Sequence, residues 1–547
     1  MHRIPLSRPA GAGSWLAART RRALGLVTAR ARRVPALGLS AAVLMALALA
    51  PPAAAPAPPP VRPGRPAPGT LARVEAYVAG EIARGGIPGG SLAVVHGKEI
   101  VLARGFGSIT PGGVVRVTPE TPYQIASLTK SITSAAILQL REQGRIDLDA
   151  PVRRYLPWFA LADEDASARI TIRHLLEQTS GIPFRASAQV VWRDPRAIRP
   201  SLERGVRELR TVRPIARPGA AWQYANFNYA ILGSVVEAVS GETYPRYVAT
   251  RIFAPLGMTR STFDLAEATA WKRAPSYVPL FGRWREVALV DETWHAPAGT
   301  TIFSTAQDMA RYAAAWLGAA DAPFLTARSL AAAQTGGPVP VLPPYWDGTT
   351  RYALGWEHAT MDGTKVVWHF GVAVGHRAAL FLLPERRVGI VLFLGADTDL
   401  LWSTARGAAS LLLGREPPAR SDDLRRQLSW AMLWCGLVGA ALVAWLGVAV
   451  TRRRGQSTAS SAWFAVPRAI VLVLLAALLI AYPLWILPAA QPITFPLFFA
   501  AGLRGWPYDV VTGYGLLACG VALWATYSLL AVRRLARRRL SHGDSGP

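Results

Sequence analysis

The chain has 547 residues, about half of them apolar, and a formal net charge of +26, which allows one large domain with appended segments or two domains. The charge does not mark a nucleic-acid binder, because residues 1–69 hold ten arginines and no acid and residues 417–547 hold thirteen arginines and four acids, leaving about +7 for the middle. These arginines flank apolar runs, where positive charge sets membrane orientation rather than contacting phosphates.

Residues 1–33 are arginine-rich and acid-free, and an apolar run of about 17 residues follows from 34 to 50. The segment 1–50 reads as an export signal or an uncleaved anchor, two alternatives that its length leaves open. Residues 51–70 are rich in proline and alanine, which predicts an extended polyproline tether.

A folded domain is expected from about 71 to 414. It opens with a helical pattern from Leu71 to Val78 that ends near Gly85-Gly86. Two β-like runs, 91–95 and 99–103, are split by His96-Gly97-Lys98 and read as a hairpin. A helix from Ala126 to about Gln143 stops at Gly144, and further helices are predicted over 172–178, closed by Gly181, and 227–239, closed by Gly241. Strand patterns return at 365–370, 378–383 and 388–394, with Pro384-Glu385-Arg386 turning the last pair and a closing helix near 399–413. Strands at both ends with helices between predict an α+β domain, its antiparallel sheet flanked by helices and completed by the two chain ends, with a helical region inserted.

Residues 415–547 contain three apolar segments, 428–450, 469–487 and 510–532. The first is about 35 Å long as a helix, enough to span a bilayer. Arg452-Arg453-Arg454 and the arginines from Arg533 to Arg539 place their ends in the cytoplasm by the positive-inside rule. The expectation is a multi-pass membrane protein with 71–414 and the 490–509 loop outside and a lipid bilayer as partner. Cys435 and Cys519 both fall in these segments, so the outer domain has no disulfide framework and no cysteine metal site. The eight histidines lack metal-ligand spacing, and Gly105-Phe106-Gly107 lacks the third glycine of a dinucleotide loop. No metal and no cofactor are expected.

The chemistry concentrates at Ser127-Leu128-Thr129-Lys130. On a helix this spacing puts a hydroxyl and an amine on one face, one turn apart, where the amine can take the hydroxyl's proton. Only four lysines occur in the chain, Lys98, Lys130, Lys272 and Lys365. A lysine can be stripped of its proton by burial or a neighbouring cation, whereas an arginine stays charged. Tyr224-Ala225-Asn226 follows the Pro218-Gly219 turn and precedes a helix that Asn226 could cap, which leaves Tyr224 on an irregular segment facing a cleft. A phenol beside an ammonium gives up its proton more readily and can shuttle it. His369-Phe370-Gly371 ends a β-like run, where glycine lets a substrate approach the backbone.

Taken together, S-x-x-K, Y-x-N and H-x-G in this order resemble the serine β-lactamase and penicillin-binding-protein superfamily, specifically its class C β-lactamase-like hydrolases. Leu175 to Pro183, Ile252 to Met258, and Pro297-Ala298-Gly299 leading to Ser304-Thr305 resemble that branch too. The resemblance covers about 71–414. It implies that Ser127 forms an acyl-enzyme, that Lys130 and Tyr224 move the proton, and that Asn226 contacts the substrate. It also implies that His369 and Gly371 occupy the third motif, with the Ser127 and Val372 N–H groups as oxyanion hole. Phe370 departs from the family, standing where a hydroxyl commonly helps bind a substrate carboxylate. That favours esters or amides lacking a carboxylate, unless Arg377 supplies the charge. The expected activity is hydrolysis of a small-molecule or cell-envelope ester or amide outside the cytoplasm, as esterase, peptidase or β-lactamase. The rival is a β-lactam or wall-fragment sensor that stays acylated and signals through the spans.

Overall fold

The computed structural model describes residues 64–419 except 110–114, 185, 187–201, 281, 288–301, 322–323, 342–348 and 362, together with single helical positions at 427, 430, 434 and 437. The N-terminal segment 1–50, most of the linker and the three apolar segments lie outside the described residues, those single positions apart. Among the described residues no helix is long and apolar enough to cross a membrane.

The first helix, α1 (Pro68–Arg84), starts inside the expected linker because Pro68 occupies the first helical position, where a missing N–H costs nothing. The hairpin follows as β1 (Gly89–His96), longer than predicted at both ends, and β2 (Glu99–Gly107), which starts where predicted and runs on four residues further. The late strands are β10 (Thr364–Ala373), β11 (His376–Leu383) and β12 (Val388–Leu394). β12 pairs with β1 from Gly90↔Leu394 to His96↔Val388, so the two ends of the domain close one sheet, as the strand pattern predicts. Three strands that the sequence reading did not find, β7 (Pro340–Val341), β8 (Thr350–Ala353) and β9 (Trp356–Met361), extend it beyond β10. The strand order is β2-β1-β12-β11-β10-β9-β8-β7, antiparallel throughout, and two short pairs lie outside this sheet, β3 (Tyr123–Gln124) with β6 (Phe303–Ser304) and β4 (Ser276–Leu280) with β5 (Arg283–Val287).

Both faces of the central strands are buried, which is why they read as continuous apolar runs. Leu92, Val94, Phe381, Ile390 and Leu392 join Val74, Val78 and Ile82 of α1 and Leu400, Ala405 and Ala408 of the closing helix (Leu400–Leu412) in one core. Ala93, Val95, Leu380, Val391 and Phe393 face the other way, into the core of the inserted helical region. Each fully buried aliphatic side chain contributes about 1.5–3 kcal/mol relative to exposure, so both layers hold the sheet.

The inserted region is built around α2 (Thr129–Glu142), whose residues from Thr129 to Leu138 are all buried. Two of its buried hydroxyls are partnered: Ser131 Oγ donates to Leu128 O at 2.8 Å and accepts from Tyr312 Oη at 3.1 Å, and Thr133 Oγ1 lies 2.7 Å from Tyr244 Oη. The helix predicted over 172–178 is shorter, α3 (Ile172–Leu176), because Gln178 turns into the left-handed region at φ 59°. The next long helix, α4 (Asn226–Ser240), closes at Gly241 as expected, the glycine N–H donating to Glu237 O at 2.9 Å.

Candidate active site

Ser127 lies on a 3-10 turn (Ala126–Leu128) that joins the short strand β3 (Tyr123–Gln124) to α2, so the nucleophile candidate precedes the α-helix rather than opening it. Ala126 beside it has φ 47°, a left-handed conformation that a non-glycine residue holds only when its surroundings enforce it. The enforcement is visible. Ile125 N donates to Ile302 O at 2.9 Å, Gln124 N donates to His376 Nδ1 at 3.1 Å, and the Ile125 carbonyl packs on Gly371 so closely that a Cβ there would sit 2.1 Å from the oxygen. Gly371 is therefore needed for the approach of this turn to β10, a reason different from the expected approach of substrate.

Lys130 is fully buried in the first turn of α2. Gly355, at φ +83°, lets the chain pass against its carbonyl, where a Cβ would come within 2.8 Å. The Lys130 amine reaches both other motifs: Nζ is 2.9 Å from Ser127 Oγ and 2.9 Å from Asn226 Oδ1. It also lies 4.8 Å from the Tyr224 ring centroid and 5.7 Å from that of Tyr229. Burial pushes its pKa well below that of a free lysine, so the neutral amine is the form this pocket favours. Tyr224, on the irregular segment before α4, donates from Oη to Ser127 Oγ at 2.8 Å. Ser127, Lys130, Tyr224 and Asn226, read from positions nearly a hundred residues apart, thus meet within hydrogen-bond reach. Asn226 does not cap its helix as expected: Ala225 is the N-cap residue, and Asn226 spends its carbonyl oxygen on Lys130.

The third motif sits within β10, which runs on to Ala373 rather than ending at His369 to Gly371. Pairing with β9 stops at Trp368↔Glu357, so beyond that point this edge of β10 is left to the turn that carries Ser127. His369 is buried 2.7 Å (Nδ1) from Phe370 O and 3.2 Å (Nε2) from Tyr352 Oη. Its Nδ1–H donates to the Phe370 carbonyl, which can only accept. Burial first, and Lys130 second, push its pKa down to about 3, which keeps it neutral. Val372 is 57% exposed at the open edge. Phe370 points to the opposite face, 4.5 Å from the Trp402 ring and 5.6 Å from that of Phe381, so a side chain at this position faces the α1 layer and not the nucleophile.

Arg377 is not available to a substrate. It is 4% exposed, ion-paired with Asp397, and donates from Nη1 to Ala373 O at 2.7 Å and His376 O at 2.9 Å. Two neighbours of the site were not singled out from the sequence: Tyr352, which links His369 to Tyr229, and His376, which accepts from Gln124 N. No local pattern marks them, since each acts across the fold. Among the described residues no group of three or more His, Cys, Asp or Glu side chains is placed to hold a metal ion.

With the geometry in place, the comparisons with known proteins agree on its architecture. Residues 74–409 match the Beta-lactamase family. The chain is 26% identical over 333 residues to Protein flp of Staphylococcus aureus (strain COL), a match covering 60% of this chain and 63% of that protein. It therefore spans less than two thirds of the length of the curated relative it matches. The octameric penicillin-binding protein homologue from Pyrococcus abyssi is 28% identical with a TM-score of 0.57, covering 64% of this chain and 79% of that one. The class C beta lactamase from Rhodobacter sphaeroides, 20% identical with a TM-score of 0.51 over 62% of this chain and 98% of that one, shares the fold. A family match over more than half of the sequence, on a sheet closed by the two ends of the domain, shows that this protein belongs to the Beta-lactamase family.

Proposed function

We propose that this protein is a membrane-tethered serine hydrolase that acts through an acyl-enzyme at Ser127. The observation that carries the reading is the contact of Ser127 Oγ with both Lys130 Nζ, at 2.9 Å, and Tyr224 Oη, at 2.8 Å, beside a buried amine whose pKa is depressed. Ser127 Oγ attacks the substrate carbonyl carbon while its proton passes to the Lys130 amine. The oxyanion is held by the N–H groups of Ser127 and Val372. The proton returns through Tyr224 to the leaving oxygen or nitrogen as the carbonyl–leaving-group bond breaks. Water then attacks the Ser127 ester, giving up its proton along the same path and releasing the acid. Asn226 fixes Lys130 and borders the acyl group, and Gly371 sets the distance between the turn and β10.

The preferred substrate is an ester or amide without a carboxylate next to the reacting carbonyl. Phe370 faces away from Ser127, and Arg377 is committed to Asp397 and to two carbonyls. A panel of paired esters and amides, with and without that carboxylate, tests the preference. The neutral member of each pair is expected to have the higher kcat/KM, with many turnovers per enzyme. Preference for the carboxylate members would overturn the substrate reading, and a single acylation without turnover would favour the sensor.

Membrane tethering rests on the apolar segments 428–450, 469–487 and 510–532 and on their flanking arginines. Reporter fusions at Ser457 and Gln491 are expected to read inside and outside respectively. The reverse pattern would place the hydrolase domain in the cytoplasm and remove envelope substrates from consideration.

A further inference from the structure

We infer that Gln178 is a positioning residue for catalysis, a clamp that holds Tyr224 on Ser127; this rests on the role of Tyr224 proposed above. Gln178 is fully buried and grips the chain on both sides of the tyrosine. Its backbone carbonyl accepts from Gln223 N at 2.7 Å, and its side-chain Oε1 accepts from Ala225 N at 2.9 Å. Tyr224 is thus the one residue between two amides tied to the same glutamine. No regular element restrains it there, because the segment before Asn226 is irregular.

The clamp is itself fixed. Asn228 Nδ2 donates to the same Oε1 at 2.5 Å, Ser180 Oγ donates to Asn228 Oδ1 at 2.6 Å, and Ile182 N donates to Ser180 Oγ at 3.1 Å. Two donors converge on Oε1, so the orientation of the amide is set by its partners. Gln178 holds a left-handed φ of 59°, a conformation that side-chain-bearing residues rarely adopt. Its Nε2 is buried with no hydrogen-bond partner among the described residues. A glutamine kept where its backbone is strained and half its amide is unsatisfied is kept for the other half, the oxygen. The neighbouring carbonyls continue the brace: Thr179 O accepts from Gly219 N at 2.8 Å and Gly181 O from Ile215 N at 2.9 Å, so 178–181 anchors the whole approach to Tyr224.

The test compares Gln178→Met, which keeps the volume and loses the acceptor, with Gln178→Glu, which keeps an acceptor oxygen. Each is made in the full chain, alone and with Tyr224→Phe, and kcat and KM are measured on an ester that the wild type turns over, with the melting temperature as control. A displaced tyrosine is expected to lower kcat for Gln178→Met about 10²-fold with KM within about threefold. Gln178→Glu is expected to recover most of that loss, and Gln178→Met in the Tyr224→Phe background to cost less than about threefold more. Equal losses in both backgrounds, or full kcat for Gln178→Met beside a crippled Tyr224→Phe, would overturn the clamp while leaving the catalytic reading intact. Full activity of Tyr224→Phe alone would overturn the reading and the clamp together. If Gln178→Met does not fold, Gln178→Asn replaces it, since it keeps the amide but draws its oxygen away from Ala225 N.

Discussion

Ser127→Ala is expected to abolish hydrolysis and covalent labelling by a fluorophosphonate, and to leave the melting temperature close to that of the wild type. Removing the nucleophile of an acyl-enzyme hydrolase costs on the order of 10⁶-fold in kcat, since no other group nearby can carry the acyl chain. The fold should not suffer. The hydroxyl's contacts are with Lys130 and Tyr224, and Lys130 keeps its bond to Asn226 Oδ1. Mass spectrometry of the labelled protein checks the assignment, and an adduct on Ser131 or Ser180 would show that the nucleophile had been misidentified. Both are poor candidates on geometry: Ser131 is buried between Leu128 O and Tyr312 Oη, and Ser180 is buried on Asn228.

Lys130→Arg separates charge from chemistry. If the cation only neutralised the pocket, arginine would preserve much of the rate. If the group must accept and return a proton, arginine cannot serve, because its proton does not leave at accessible pH. General-base assistance is worth about 10² to 10⁴-fold, and a loss on that scale is expected in kcat/KM. Tyr224→Phe should lose a comparable amount, and the double variant less than the product of the two, since both groups serve one proton path on Ser127 Oγ. Lys130→Arg within about threefold of wild type, a barrier change of roughly 0.6 kcal/mol, would end the proton-transfer role. The pH profile gives an independent reading. Burial lowers the Lys130 pKa, so kcat/KM should fall as acid protonates the amine at a pH well below the range of a free lysine. An acid limb near the free-lysine pKa, with little activity at pH 7, would contradict the burial argument.

What the sequence determined by itself was what local pattern can carry. The α1 helix, the β1–β2 hairpin, the runs of β10 to β12 and the helix closed by Gly241 were all legible from periodicity and stop signals. Ser127 and Lys130 were legible because a three-residue spacing brings them together even though Ser127 sits on the 3-10 turn ahead of α2. Tyr224 and Asn226 were picked out by their setting, Tyr224 with an ammonium expected beside it, whereas the bond from Lys130 to Asn226 was not foreseen. The tertiary structure decided that Asn226 serves Lys130 instead of capping its helix, that Gly371 is needed for Ile125, that Phe370 faces Trp402, and that Arg377 is consumed by Asp397. Strands β7 to β9 escaped detection because they are two, four and six residues long and β9 carries buried Glu357 and His358, so that successive pairing, β9 on β10, β8 on β9 and β7 on β8, defines them more than composition does. Gln178 escaped for the same reason. A helix repeats its contacts every few residues and so writes them into sequence, whereas a hydrogen bond from residue 178 to residue 225 depends on how two distant segments pack, which no local spacing records.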